Sequence, residues 1–159
     1  MVSSNSRYDK YTRGEAGGDL SPQELHGLEL FRDKCATCHT EPLFTDHSYR
    51  NNGLSVDPGL NDSGRAKITH NANYLQKFKV PSLRNVALSG PYMHDGRINN
   101  LDGVLEHYRT GITPSPTLDS TLTSGITMSD QDKLDIISFL QTLTDTTFTH
   151  DVRFKEPNQ

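Results

Sequence analysis

At 159 residues the chain has room for one modest domain, whose core can be stable alone if it is well filled. Only 32% of residues are hydrophobic, there is no Trp and the mean hydropathy is −0.67, so such a chain carries long solvated loops or takes on apolar surface from outside the polypeptide. A net charge of −4 with singly scattered basic residues argues against nucleic acid as the main partner, and no stretch approaches the roughly 20 apolar residues that cross a membrane.

Residues 1–20 are polar and Gly-rich and read as a lead-in segment without a core face. They show neither the basic nor the apolar part of a secretory signal, so a signal was removed or was never carried. Ser21-Pro22-Gln23-Glu24 is a capping-box pattern with Pro at the first helical position. Leu25, Leu28 and Phe31 follow at helical spacing, which predicts a helix running into a Cys pair. From Thr40 to about Lys77 the pattern dissolves into Gly, Asn, Asp and Pro, and loops this long wrap ligands or carry function. Val80-Pro81-Ser82-Leu83 reads as extended, and Ser89-Gly90-Pro91 breaks the chain again.

A second helix is predicted from about Leu101 to Arg109, with Val104, Leu105 and Tyr108 on one face and Gly111 as its stop. Residues 112–128 form a Thr/Ser/Pro-rich loop. Ser129 then caps a final helix with Leu134, Ile137, Leu140 and Leu143 as its apolar stripe. The tail, 146–159, is polar and is expected on the surface. The domain proper is therefore 21–145, without internal repeats and with little strand.

Cys35-Ala36-Thr37-Cys38-His39 is a C-x-x-C-H sequence. Two thiols at this spacing add across the two vinyl groups of a haem, and the adjacent His places an imidazole nitrogen on the iron. A redox dithiol would sit near a βαβ pattern, whereas helix and loop surround this one. A structural zinc site needs four ligands and no second Cys pair exists; a disulfide across two residues is strained and rare. One covalent haem, held by Cys35, Cys38 and His39, is the expectation, and its macrocycle supplies apolar surface that the side chains lack.

The sixth iron ligand is less constrained. Met93, in Pro91-Tyr92-Met93-His94, offers a thioether, the usual partner of His in high-potential electron-transfer haems, although Met equally fills core gaps. Met128 lies at a helix start and is a weaker choice. His94 and His107 are further nitrogen donors. Tyr108 is either a core tyrosine or a phenolate that binds ferric iron and lowers its potential.

The run Phe78-Lys79-Val80-Pro81-Ser82-Leu83-Arg84-Asn85-Val86-Ala87-Leu88-Ser89-Gly90-Pro91-Tyr92-Met93-His94-Asp95-Gly96-Arg97 resembles the signature of the bacterial di-haem cytochrome c peroxidase and MauG family. Leu101 to Gly111 and Phe139-Leu140-Gln141-Thr142-Leu143 resemble the rest of that family's C-terminal haem domain. Asn5 to Tyr11 with Gly14-Glu15 resembles the segment joining its two haem domains. The resemblance covers essentially the whole chain. It implies an all-α, cytochrome c-like fold, with few helices and long loops wrapped around one haem c.

Members carry two C-x-x-C-H motifs and this chain has one. The family's peroxidatic haem, its displaceable distal His, its acid/base carboxylate and its inter-haem Trp belong to the other domain and have no counterpart here. The resemblance thus implies the C-terminal half of a di-haem enzyme, or a separately encoded or truncated version of it. It moves the sixth ligand to Tyr108, at the place where peroxidases have Met and MauG-like members Tyr, with Met93 as the alternative. It also implies a calcium site using the Ser89 hydroxyl and the Pro91 carbonyl.

Arg65, Arg84 and Arg97 are candidate partners of the haem propionates. The functional expectation is an electron-transfer module. It would take electrons from a cytochrome c or cupredoxin and pass them to a peroxidatic haem in an N-terminal domain or partner subunit, with a homodimer as a further assembly. The alternative is that this haem itself reduces peroxide or takes part in MauG-like high-valent oxidation chemistry. Covalent haem attachment occurs outside the cytoplasm, so the expected compartment is the periplasm.

Overall fold

In the computed structural model, which describes residues 3–154, two capped helices cross at the centre. Residues 1–2 and 155–159, the ends of the expected lead-in and tail, lie outside the described residues. The first central helix, α2 (Pro22–Lys34), starts where predicted: the Ser21 hydroxyl accepts from Glu24 N–H at 3.3 Å while the Glu24 carboxylate accepts from Ser21 N–H at 2.8 Å. The second, α5 (Asp130–Gln141), repeats the device with Ser129 and Asp132 at 3.1 and 2.9 Å.

Their crossing depends on Gly27. A Cβ there would stand 1.9 Å from the carbonyl oxygen of Asp135, so only glycine lets the backbones come this close. Leu28 and Phe31 then meet Ile136, Phe139, Leu140 and Leu143, all buried, and the Phe31 and Phe139 rings are 5.2 Å apart. The buried face of α5 differs from the predicted stripe. Leu134 is 53% exposed and Ile137 half-buried, because the row Ile136–Phe139–Leu140–Leu143 is the one that points at α2.

The N-terminal segment also departs from expectation. Ser6 and Asp9 form a third capping box that starts α1 (Arg7–Arg13), and Tyr8 enters the core edge-on to Phe44 and Phe139 at 5.4 and 5.5 Å. A Gly-rich composition hid about two turns of helix whose one apolar core residue, Tyr8, makes only long-range core contacts.

The long loop after the Cys pair contains only short regular pieces: β1 (Tyr49–Arg50), antiparallel to β2 (Phe78–Lys79), and the single-turn α3 (Ala66–Thr69). The remaining helix, α4 (Leu101–Glu106), begins on the Asn100 side chain and passes into a π-helical turn over His107–Gly111. The predicted helix to Arg109 is therefore two geometries in series. A terminal turn, α6 (Thr146–Thr149), is capped by the buried Asp145.

Candidate functional site

Helix α2 delivers the first thiol. Cys35 is its C-cap, donating to the Phe31 carbonyl at 2.8 Å, and the chain then turns so that Cys38 N–H and His39 N–H both donate to the Cys35 carbonyl, at 3.2 and 2.9 Å. The C-x-x-C-H run is thus one tight turn hung on the end of a core helix. Both cysteines are free of disulfides. Burial pushes the Cys35 thiol up to about 12, helped by Cys38, and burial raises Cys38 as well. A redox dithiol needs the opposite, a lowered pKa, so this environment suits thiols that end as apolar thioethers. Among the described residues no group of three or more His, Cys, Asp or Glu stands in metal-holding geometry, which leaves zinc without a ligand set.

His39 is oriented by its backbone. Its Nδ1 lies 3.0 Å from the Phe44 carbonyl, a donor arrangement that leaves Nε2 and its lone pair for a metal. Burial lowers its pKa and favours the neutral ring that ligates. Beside the turn stands a charge cluster that no local pattern announces. The Arg50 guanidinium pairs with Asp46 at 2.7 Å and Asp119 at 2.8 Å, and all three act electrostatically on Cys38. Burial works upward on Asp46, but hydrogen bonds from Ser48 and Arg50 outweigh it and hold the carboxyl at about 2.

Three of the five candidate sixth ligands lie around one loop residue, Asn52. Tyr108, on the π-helical turn, keeps some accessible surface in a deep setting; burial raises its pKa, a side-chain hydrogen bond from Asn52 offsets part of that, and both Cys thiols act on it. Met93, half-buried, receives a hydrogen bond from Asn52 Nδ2 at 3.4 Å to its sulfur. His107 is buried, with Nε2 spoken for at 3.0 Å from the Asn52 carbonyl. His94 is exposed and stacked on Phe78 at 3.8 Å, and Met128 belongs to the hydrophobic core. Asn52 itself escaped sequence reading, since an Asn in a polar loop carries no signal.

The three arginines separate. Arg84, only 8% exposed at its side chain, is bidentate to Asp9 at 2.8 and 2.9 Å and also donates to the Pro42 carbonyl. Arg97 is paired with Asp95 and reaches Ser55 at 3.1 Å. Arg65 lies over the Tyr49 ring at 3.9 Å, and its Nε is buried without a hydrogen-bond partner. A propionate suits that orphaned donor, whereas the other two guanidinia are already occupied. Ser89 and Pro91 are both exposed on one turn, the Ser89 hydroxyl donating to the Val86 carbonyl at 3.1 Å.

Residues 25–144 match the cytochrome c family model. The chain is 35% identical over 147 residues to the methylamine utilization protein MauG of Methylorubrum extorquens, covering 90% of this chain and 40% of that protein. It is 37% identical over 112 residues to the cytochrome c peroxidase Ccp of Escherichia coli, covering 67% and 24%. Among solved structures, a MauG-like protein associated with microbial copper homeostasis superposes with a TM-score of 0.82 at 29% identity, over 98% of this chain and 56% of that one. A tyrosine-to-methionine variant of the di-haem peroxidase BthA from Burkholderia thailandensis gives 0.71 at 26%, over 90% and 46%. The chain thus spans about half or less of the length of these relatives.

Proposed function

The chain belongs to the cytochrome c family, as a haem c domain of the MauG and di-haem cytochrome c peroxidase group, and from that premise we propose that it is the C-terminal, electron-relaying half of such a protein. The observation that carries the reading is Tyr108: a half-buried phenol on the π-helical turn, on which both haem-attaching cysteines act electrostatically. As sixth ligand it closes the position that peroxide would need, and a closed position suits outer-sphere electron exchange. When bound, the haem supplies one-electron chemistry. Cys35 and Cys38 would tether it, His39 Nε2 would ligate its iron, and Arg65 would pair with a propionate.

Electrons arrive from a small donor, a cytochrome c or a cupredoxin, and leave for a peroxidatic haem in an N-terminal domain or partner subunit. The net charge of −4 favours a basic donor through steering. Covalent haem attachment puts the protein in the periplasm, and no helix among the described residues is long and apolar enough to cross a membrane. The Ser89 hydroxyl and Pro91 carbonyl offer two oxygens to a calcium ion completed from outside this domain. A second reading, MauG-like oxidation chemistry shared with the other haem, draws on the same tyrosine.

The test is a redox titration with ferric spectra of the haem-loaded chain and its variants. Tyr108→Phe is expected to change the ferric spectrum and raise the midpoint potential, while Met93→Leu leaves both near the parent. The reverse pattern assigns the iron to the thioether. Rapid mixing of the chain alone with peroxide is expected to give no sustained turnover; robust turnover overturns the relay.

A further inference from the structure

Asn52 stands among three of the residues that compete for the far side of the iron: Met93, His107 and Tyr108. Its Nδ2 donates to the Met93 sulfur at 3.4 Å, its backbone carbonyl lies 3.0 Å from His107 Nε2, and its side chain is near enough to Tyr108 to offset part of the upward push of burial on that phenol. The amide is oriented by the adjoining backbone, because Asn52 Oδ1 accepts from Leu54 N–H at 3.3 Å and so turns the NH2 group toward the sulfur. The loop around it is pinned to the ligand-bearing segment: Gly53 carbonyl accepts from Thr113 N–H at 2.8 Å, and the neighbouring Asn51 side chain bonds Ser115 and Thr117 at 3.0 and 2.9 Å. Met93 holds φ +72°, a left-handed conformation that is costly for a side chain of its kind and persists only where surroundings impose it.

We propose that Asn52 is a positioning residue that selects the sixth iron ligand, its amide holding the Met93 thioether aside and so leaving the far side of the iron to Tyr108. The inference rests on the reading of Tyr108 as ligand. Its chemistry is that of any ligand-orienting neighbour: a hydrogen bond to a bound phenolate withdraws electron density from it, and a hydrogen bond to sulfur occupies the lone pair a metal would use. His107, tied to the Asn52 carbonyl, is removed from the competition by the same residue.

The experiment uses the haem-loaded chain with Asn52→Leu and, as the milder change, Asn52→Ser. Both remove the amide, and the serine keeps a small polar loop residue should the leucine fail to fold. The expected result is a new thioether–ferric absorption in the red, alongside loss of part of the phenolate spectrum. Adding Met93→Leu to Asn52→Ser should abolish the new band and leave a midpoint potential below the parent's. A ferric spectrum and potential unchanged in Asn52→Ser, while Tyr108→Phe changes them, overturn the role of Asn52 alone. No change in Tyr108→Phe overturns the tyrosine reading and this inference with it.

Discussion

Buried guanidinia in this chain serve two different ends. Arg84 is sandwiched between Asp9 and the Pro42 carbonyl, and its pairing draws the Asp9 pKa down against the upward push of burial. Arg84→Gln leaves a buried carboxylate uncompensated and is expected to lower stability by about 3–5 kcal/mol in chemical denaturation, with the haem potential near the parent's. Arg65 is the contrast. It rests on Tyr49 with an unsatisfied Nε, so Arg65→Gln is expected to lose only about 1 kcal/mol of stability. Removing its positive charge from a propionate's neighbourhood should lower the midpoint potential instead, because the cation favours the reduced, less positive haem. Equal potentials in Arg65→Gln and parent would show that Arg65 stands apart from the haem.

The haem-bearing turn is placed by an element-level contact, the crossing of α2 and α5. Gly27→Ala drives a methyl into the Asp135 carbonyl, and the helices must separate. A loss of at least about 1–3 kcal/mol in urea denaturation is expected, and an alanine variant as stable as the parent would mean the crossing is loose. The other element that carries chemistry is the π-helical turn. Glu106, at its entry, accepts from Thr110 Oγ1 at 2.8 Å, Arg109 at 2.6 Å and Lys133 Nζ at 3.1 Å, and Lys133 also reaches Asp102 at 2.9 Å. The wide turn is thereby braced against α5, and Tyr108 is carried on it. Such turns recur where a helix must present a side chain off its regular register.

At the scale of the whole molecule, Asp145 draws Ser3–Asn5 together with Thr147 and Phe148. One carboxylate oxygen accepts from Ser3 Oγ, Ser4 N–H and Asn5 N–H, each at 3.0 Å; the other accepts from Thr147 Oγ1 at 2.6 Å and Phe148 N–H at 3.1 Å. Burial pushes its pKa up, yet these bonds outweigh it and hold the carboxyl at about 2, below the ordinary value near 3.9. A folded pKa below the unfolded one stabilises at pH above about 4, and the contribution is lost as pH falls from there toward 2. Asp145→Asn is expected to be about 2 kcal/mol less stable at pH 7, with the gap narrowing through that acid window. A gap independent of pH would mean the carboxylate charge is not what the clamp uses. The last residue before the expected polar tail thus ties Ser3–Asn5 to the start of that tail.

What the sequence determined by itself was local or covalent. The C-x-x-C-H chemistry resides in five adjacent residues, and the Ser21 and Ser129 caps close within three, so each was legible without knowing the fold. The long resemblance around Phe78–Arg97 carried the family on the same footing. The tertiary structure decided everything that depends on distant segments meeting. Tyr8 joined the core because Phe44 and Phe139 come to it, and the α5 face rotated from Leu134 to Ile136 because α2 lies on that side. Gly27 matters through Asp135, and Asn52 through Met93 and His107. Each is a contact across many residues, where closure of the chain rather than local propensity selects the partner.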